Sequence, residues 1–279
     1  MRQGHSGVCE MVADVAMEAD IDRLDRIANE QAIAYAAADP FPHIVIDDFV
    51  RPDMLEEVLA EVSGADGVLW NAMQDRYQQK FSCATTRQMG PRTRQLINFM
   101  NGQEVLGFLE RLTGITGLVP DWQLAGGGIH ALRDGGFLNV HADFNLHRHL
   151  RLDRRINLLL YLNKDWREEY GGGLELWDTG MTACQQRIMP LFNRCVIFNT
   201  TDRSFHGNPV PVAAPDGRTR LSLAFYYYTN GRPESEAGNP HSTLFRHRPG
   251  EETAKDRARK FAKKLTPPII TEWLEKRRN

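Results

Sequence analysis

The sequence is poor in cysteine, and the four cysteines that it has form no C-x-x-C pair. This spacing argues against a cysteine zinc site and gives no support for a disulfide framework. The residues are Cys9, Cys83, Cys184 and Cys195. Scattered thiols of this kind are typical of a reducing compartment, so we expect a cytoplasmic protein.

Long apolar runs are also missing. The longest, at residues 156–162, is interrupted by Asn157 and falls far short of the roughly 18 residues that a membrane helix needs. Acidic side chains are spread through the first 30 residues, so we expect no secretory signal there. With 42% hydrophobic residues and a net charge of −2, the chain is too apolar and too weakly charged to be mainly disordered. We therefore predict a globular protein without a membrane partner.

Charge of one sign is concentrated only at the C-terminal end. Residues 246–279 contain 11 Lys or Arg side chains against 5 Asp or Glu. A basic tail can bind nucleic acid, but here acids are interleaved and aromatic residues are few. We therefore predict a basic, solvated helical extension over residues 233–279 and no nucleic-acid partner. A catalytically silent interaction protein that uses this tail is a minor alternative.

Helical patterns dominate the first third of the chain. Residues 14–38 are rich in alanine and place apolar side chains at near-helical spacing, namely Ile21, Leu24, Ile27 and Ile33. Further helices are predicted over residues 52–62 and 91–113, with a short strand at 43–47 between the first two. We expect this region to support a strand-rich core.

Short β-branched or aromatic runs separated by turn residues follow from about residue 115. Strands are predicted at 137–143, 155–163, 173–177, 194–200 and 218–229. This pattern is typical of an antiparallel sandwich or barrel. The fold class is therefore α+β, with helices before and after a β core.

One strand carries a possible metal-binding pair. Alternation along residues 137–143 points Asn139, His141 and Asp143 to the same face. A third ligand is available at His206, just past the strand at 194–200. Two histidines and one carboxylate form a facial set that leaves positions open, as in non-haem Fe(II) oxygenases. A purely structural His–Asp hydrogen bond is the alternative.

A basic side chain follows at a fixed distance from the second histidine. Arg220 lies fourteen residues after His206, and Ser222 shares its strand face. A buried guanidinium needs a planar anionic partner, and the far carboxylate of a dicarboxylate cosubstrate would supply one. Arg218 shares this predicted face and competes for the role, although we favour Arg220.

Residues 120–229 as a whole resemble the 2-oxoglutarate- and Fe(II)-dependent dioxygenases, in their prolyl 4-hydroxylase-like branch. The resemblance lies in the metal and arginine motifs and in three runs, RINLLLYLNKDW at 155–166, YGGGLELW at 170–177 and PLFNRCVIF at 190–198. It implies a double-stranded β-helix, or jelly-roll, with supporting helices. We expect an N-terminal helical segment at 1–39, an oxygenase domain at 40–232 with its core at about 120–229, and the extension at 233–279 packed on it.

The resemblance also implies the cofactors and the residues that hold them. His141, Asp143 and His206 would bind Fe(II), and Arg220 would bind 2-oxoglutarate with help from Ser222 and Tyr161. Leu174 would form an apolar wall of that pocket. O2 would be the oxidant and ascorbate the supporting reductant. An intact Asp143 favours hydroxylation over halogenation, because related halogenases have a small residue there.

One departure from the resemblance concerns the cosubstrate. Many relatives have a tyrosine about ten residues before the His-x-Asp motif, where this chain reads His130-Ala131-Leu132. Asn139 and Asn157 point inward by alternation and are candidates to replace it. We assign Asn157 to the cosubstrate and Asn139 to the substrate side.

The substrate is predicted only by class. Polar and aromatic side chains near the expected mouth suit a small polar metabolite, such as a free or carrier-bound amino acid. Besides Asn139, these are Arg133, Phe144, Asn145, His147 and Trp166. The predicted reaction is hydroxylation of an unactivated C–H with release of succinate and CO2. A peptidyl-prolyl hydroxylase acting on a protein and a cupin-type metal-binding module without oxygenase activity are the alternatives.

Overall fold

The computed structural model describes residues 18–63, 68, 70–236 and 238–251. Its α-helices are α1 Ile21–Ala36, α2 Pro52–Ser63, α3 Pro91–Met100 and α4 Gln103–Thr113. These helices agree with the predicted helical regions of the first third. The predicted residues 14–17 of the first helix and most of the C-terminal extension, 252–279, lie outside the described residues.

Helix α1 begins where a side chain caps its first turn. The Asp20 carboxylate accepts a hydrogen bond of 2.8 Å from the backbone N–H of Arg23. Leu24 and Tyr35 are buried, but Ile33 is 87% exposed. The expectation that Ile33 belongs to the apolar face is therefore wrong, because the buried face of α1 passes through Leu24, Ala28 and Tyr35.

Thirteen strands are present among the described residues. Their bounds are β1 His43–Ile46, β2 Asn71–Gln74, β3 Gln78–Cys83, β4 Val119–Pro120, β5 Gly128–Leu132, β6 Phe137–Ala142, β7 Asp153–Tyr161, β8 Leu174–Trp177, β9 Cys184–Ile188, β10 Cys195–Asn199, β11 His206–Asn208, β12 Arg220–Thr229 and β13 Leu244–Phe245. The five predicted strands of the core correspond to β6, β7, β8, β10 and β12. Three strands, β1 to β3, lie within the part of the chain where helices dominate.

The strands form one curled antiparallel sheet with the order β1-β10-β7-β12-β5-β3-β6-β11-β8-β9. We call the first six strands of this order, β1, β10, β7, β12, β5 and β3, the major half. The last four, β6, β11, β8 and β9, form the minor half. Strand β3 joins the halves, because it pairs with β5 and also with β6. The short strand β13 adds to β6. The architecture is a double-stranded β-helix with helices outside it, as the resemblance implied.

The two faces of the major half have different partners. Its outer face packs against the helices through an apolar core that includes Leu160 and Leu223 from the sheet and Leu55 and Phe108 from the helices. Its inner face turns toward the minor half, where Tyr161 and Phe198 pack against Leu174, Leu176 and Ile188. Side chains that alternate along β7 and β12 therefore divide between a helix-facing core and an interior between the two halves.

No helix among the described residues is long and apolar enough to cross a membrane.

Candidate metal and cosubstrate site

The structure brings His141, Asp143 and His206 together on the minor half. His141 on β6 is the register partner of His206 on β11, and Asp143 follows the end of β6. The two carboxylate oxygens of Asp143 lie 3.4 Å from His141 Nε2 and 3.4 Å from His206 Nε2. All three side chains are buried, and each offers a ligand atom within 4.8 Å of the other two. This geometry could hold one metal ion.

Hydrogen bonds fix which nitrogen of each imidazole is free. His141 Nδ1 lies 2.9 Å from the carbonyl oxygen of Asn139, and His206 Nδ1 lies 2.9 Å from that of Ser204. A carbonyl oxygen only accepts, so each Nδ1 must carry the proton and donate. Each Nε2 then keeps its lone pair and faces the cluster, as a metal ligand requires. Burial lowers the pKa of His206 to about 4, against the opposing charge of Asp143, so this imidazole is neutral at neutral pH.

The Asp143 carboxylate is held by two further side chains. Its Oδ2 accepts a hydrogen bond of 2.9 Å from Asn157 Nδ2 and lies 2.9 Å from Nη2 of the buried Arg154. Burial alone would raise the pKa of Asp143, but the charge of Arg154 outweighs it and holds this pKa far below its usual range. The carboxylate is therefore ionised, which a cation in the cluster would require.

Arg220 presents an unsatisfied donor in the interior. Its Nη1 donates to Ser222 Oγ at 3.0 Å and its Nε to the carbonyl oxygen of Gly172 at 3.2 Å. Its Nη2 is buried and has no hydrogen-bond partner among the described residues, and the same holds for the hydroxyl of Tyr161. The guanidinium lies over the Tyr161 ring, 4.7 Å from its centroid. Unpaired buried donors are costly, so this pair fits the carboxylate of a ligand.

Leu174 lies beside the pair formed by Arg220 and Tyr161. It is buried in the apolar cluster that also contains Tyr161, Leu176 and Phe198. Gly172, two residues before it, allows close packing here, because a Cβ at Gly172 would lie 2.9 Å from Val212 Cγ2 and 3.4 Å from Arg220 Cγ. A carboxylate end and an apolar wall together suit a short dicarboxylate such as 2-oxoglutarate.

Arg218 does not share the face of Arg220, which corrects the sequence analysis. Strand β12 begins only at Arg220, and Arg218 belongs to the preceding turn. Its guanidinium donates to the backbone carbonyl oxygens of Lys164 and Asp165. Alternation could not apply to Arg218, because it lies before the strand.

Asn157 and Asn139 have different positions. Asn157 contacts Asp143 directly and accepts a hydrogen bond of 2.9 Å from Arg154 Nη2, so its amide is engaged in holding the carboxylate. Asn139 is partly buried, and its Nδ2 lies 3.4 Å from the carbonyl oxygen of Arg76. The backbone carbonyl oxygen of Asn139 accepts the hydrogen bond that orients His141.

The residues after Asp143 divide between the interior of the β-helix and the loop that joins β6 to β7. The guanidinium of Arg154 lies 4.5 Å from the centroid of the Phe144 ring, so Phe144 borders the cluster. Asn145 is buried and joins Asp202 to the backbone at Asn239. His147 is fully buried, which corrects its predicted place at the mouth. Its Nδ1 accepts the N–H groups of residues 149 and 150 and closes the turn.

Arg133 and Trp166 are not gathered with the metal cluster. Both line a groove of about 490 Å³ on the outer face of the major half, together with Leu59, Val62 and Leu221. Trp166 is buried there, and its indole N–H donates to the carbonyl oxygen of Gly171 at 3.0 Å. The expected position of these two residues at the mouth is therefore wrong, because they follow β5 and β7 to the helix-facing side.

Three side chains of the interior were not singled out as site residues by the sequence analysis. These are Lys80 on β3, His130 on β5 and Arg154 on β7. The alternation of Phe81 and Cys83 with Lys80 and Ser82 could have indicated a strand with Lys80 facing inward. Arg154 gave no such signal, because a register shift opposite Tyr227 and Tyr228 interrupts the alternation of β7.

Comparison with known families agrees with this site. Residues 127–228 match the family model described as the 2OG-Fe(II) oxygenase superfamily. That stretch contains both histidines and the aspartate of the cluster as well as Arg220. The chain therefore carries a 2OG-Fe(II) oxygenase domain, and the cofactors of its class are Fe(II) and 2-oxoglutarate.

One curated relative is a prolyl hydroxylase. Over 196 residues the chain is 28% identical to the prolyl 3-hydroxylase OGFOD1 of Mus musculus, a match that covers 68% of this chain and 33% of that protein. The chain thus spans about a third of the length of this curated relative.

Solved structures of low sequence identity share the fold. A Pseudomonas putida prolyl-4-hydroxylase superposes with a TM-score of 0.51 and 17% identity, covering 75% of this chain and 100% of that one. A prolyl 4-hydroxylase from Phytophthora capsici gives a TM-score of 0.53 and 17% identity, covering 89% of this chain and 75% of that one. At this identity the likeness establishes the double-stranded β-helix alone.

Proposed function

We propose that the protein is an Fe(II)- and 2-oxoglutarate-dependent oxygenase that hydroxylates an unactivated C–H bond of its substrate. One observation carries the proposal: a buried His–Asp–His cluster shares the interior with Arg220, whose buried Nη2 has no partner in the part of the chain that the structure describes. A metal-binding module without a cosubstrate has no use for that donor, so the cupin-type alternative is less well supported.

The donor set suits a ferrous ion. His141, Asp143 and His206 would hold it through two neutral imidazoles and one carboxylate, and a facial set of three leaves three positions open. With 2-oxoglutarate and O2 bound, the ion would supply the oxidising power for hydroxylation, and succinate and CO2 would be released.

The chain's own residues bind, orient and exclude water. Arg220 and the Tyr161 hydroxyl would bind the far carboxylate of 2-oxoglutarate, while Ser222 holds the guanidinium in place. Leu174 and its apolar neighbours would keep water from the chain of the cosubstrate. Arg154 and Asn157 keep Asp143 ionised and directed at the two imidazoles.

The test is the conversion of 2-oxoglutarate to succinate. Purified protein with Fe(II), ascorbate and O2 should form succinate slowly even without substrate, and His141→Ala or Asp143→Ala should abolish it. His149→Ala is a matched control, because this histidine is exposed and outside the cluster. Wild-type protein that forms no succinate, or a His141→Ala variant that forms it at the wild-type rate, would contradict the proposal.

We further propose a small polar metabolite as the substrate. A cleft of about 600 Å³ lies beside Phe144 and is lined by apolar side chains, by His241 and by Arg148 and Arg151. That volume is in the range of small-molecule sites. Hydroxylation of a peptidyl proline is the second candidate, and the prolyl hydroxylase relatives favour it. Mass spectrometry for a product heavier by one oxygen atom should separate the two, with metabolite extracts and proline-containing peptides as substrates.

A further inference from the structure

Lys80 lies on the inner face of the strand that joins the two halves. In the register of β3 and β5, Phe81 pairs with Ala131 and Ser82 with His130, which places Lys80 opposite Leu132. Leu132 in turn pairs with Arg220 on β12. Lys80 and Arg220 therefore belong to the same row of the sheet, two strands apart, or roughly 10 Å between backbones.

The ammonium group of Lys80 has no close partner. It makes no hydrogen bond or ion pair with any residue in the part of the chain that the structure describes. The side chain is partly buried. Burial lowers the pKa of Lys80, Asp143 raises it from a distance, and the positive charges of Arg154 and Arg220 lower it further. Among the described residues, Asp143 is the acid whose charge raises the pKa of Lys80.

Asp143 is already engaged elsewhere. Its carboxylate contacts Arg154 and Asn157 and faces both histidines of the cluster. His130 adds no negative charge, because burial and the nearby Lys80 hold its pKa well below the usual value, and its Nε2 lies 3.0 Å from the carbonyl oxygen of Gly126. Among the described residues, the charged groups named so far around the metal cluster are three cations, Lys80, Arg154 and Arg220, and one carboxylate, Asp143.

Binding of the cofactors does not remove this excess of positive charge. A ferrous ion carries two positive charges and 2-oxoglutarate two negative ones, so they cancel. Arg220 would then be paired with the cosubstrate and Arg154 with Asp143, while Lys80 would remain unpaired. An uncompensated charge on a partly buried side chain is unfavourable, and a charge-assisted hydrogen bond to an anion relieves it.

We infer that Lys80 binds an anionic group, a carboxylate or a phosphate, on the substrate that the enzyme oxidises. The inference rests on the proposed function and narrows its substrate class to small acids. A neutral prolyl residue within a peptide would offer Lys80 no charge partner. The other possible occupant is the near carboxylate of 2-oxoglutarate, and the experiment separates the two.

The experiment compares acids with their neutral counterparts on the full chain. Pairs are N-acetyl-L-proline with N-acetyl-L-prolinamide, hexanoate with hexanamide, and glucose 6-phosphate with glucose. Binding is read as the shift in thermal midpoint with Mn(II), which does not support turnover, and saturating 2-oxoglutarate. Turnover is read as 2-oxoglutarate consumption with Fe(II) and O2. We expect at least one acid to bind at least 10-fold more tightly than its neutral partner and to stimulate consumption, and the carboxylate and phosphate pairs identify the anion.

Variants then assign the effect to Lys80. Lys80→Gln should weaken binding of the preferred acid at least 10-fold, and Lys80→Arg should retain part of the affinity for that acid. In both variants the KM for 2-oxoglutarate, measured without substrate, should stay the same. Lys164→Gln is the matched control, because Lys164 is exposed on the outer face and paired with Glu56. It should change neither quantity.

Several results would overturn the inference. They are a panel in which no acid is preferred, an acid preference that survives Lys80→Gln, and a raised KM for 2-oxoglutarate in Lys80→Gln, which would assign the lysine to the cosubstrate. If Lys80→Gln does not fold, the wild-type comparison still tests the inference, because a panel in which no acid is preferred overturns it. Failure of the proposed function differs, since wild-type protein would then consume no 2-oxoglutarate at all.

Discussion

The guanidinium of Arg154 lies 2.9 Å from Oδ2 of Asp143, and the same guanidinium stacks 3.4 Å from the centroid of the Tyr226 ring. Arg154 is almost completely buried, so its charge is compensated mainly by this carboxylate. Asn157 bridges the pair by donating to Asp143 and accepting from Arg154. The orientation of a candidate metal ligand therefore depends on a buried cation that contacts it from behind.

Replacing Arg154 should destabilise the metal-free protein and make it more dependent on metal. Arg154→Gln leaves the buried carboxylate of Asp143 without its cation, which typically costs about 3–5 kcal/mol in the free energy of unfolding. A divalent ion would resupply positive charge, so Mn(II) should raise the thermal midpoint more in the variant than in the wild type. Chemical denaturation with and without Mn(II) measures both effects.

Arg111→Gln is the control for this comparison. Arg111 is paired with Asp25 on the surface, and both side chains are more than 40% exposed. Exposed pairs contribute about 0–1 kcal/mol, so the control should stay close to wild type with or without metal. Equal stability of the Arg154→Gln and Arg111→Gln variants would show that the buried pair does not hold Asp143.

Arg220→Ala and Arg218→Ala should separate the two arginines that sequence alone left in competition. Removing the charged partner of a buried carboxylate typically costs about 2 kcal/mol or more, which is roughly 30-fold in affinity. Arg220→Ala should therefore raise the KM for 2-oxoglutarate by at least that factor. Arg218→Ala should leave it unchanged, because the guanidinium of Arg218 donates to backbone carbonyl oxygens and lies near aromatic rings outside the interior. The reverse result would reassign the anchor.

Alternation along strands placed the main side chains of the site correctly. His141 and Asp143 converge as expected for residues two apart on a strand, and Ser222 accepts a hydrogen bond from Arg220 across the same spacing. Pairing between β6 and β11 could not be derived from composition, but the resemblance to a family indicated that His206 would join them. The general fold and the cluster were therefore accessible from the sequence.

Irregular backbone limited the rest. The register shift in β7 carries Arg154 onto the face of Asn157, although alternation puts residues three apart on opposite faces. Arg218 precedes its strand, and His147 turns inward to close a tight turn. Lys80 belongs to a strand inside the helix-rich third of the chain, where a β contribution to the interior was not expected. Each of these depends on local backbone geometry that residue types alone do not specify.

Gly207→Ala should damage the metal site through the backbone. A Cβ at Gly207 would lie 2.8 Å from the carbonyl oxygen of Leu138 and 2.9 Å from that of Asn139. Strands β6 and β11 would have to move apart beside His141 and His206, at a cost of about 1–3 kcal/mol. We expect a lower thermal midpoint and weaker Mn(II) binding by titration.

Gly173→Ala provides the comparison for that variant. A Cβ at Gly173 would meet the carbonyl oxygen of Ile188 at 3.6 Å, an ordinary contact. This variant should bind Mn(II) as the wild type does. If both alanine variants bound the ion equally well, the close approach of β6 and β11 would not control the geometry of the cluster.

Tyr161→Phe should weaken cosubstrate binding without weakening the fold. The Tyr161 hydroxyl is buried and has no hydrogen-bond partner within the described ranges, so its removal takes away an unsatisfied polar group. The free energy of unfolding of the ligand-free protein should therefore stay the same or rise. If the hydroxyl donates to the far carboxylate of 2-oxoglutarate, its loss should cost about 1.5–3 kcal/mol of binding, or roughly 10- to 150-fold in KM. Chemical denaturation without ligand measures the effect on stability, and the KM for 2-oxoglutarate measures the effect on binding. We expect a stability that is unchanged or higher together with a raised KM. A variant that is destabilised but keeps its KM would instead mark Tyr161 as a packing residue.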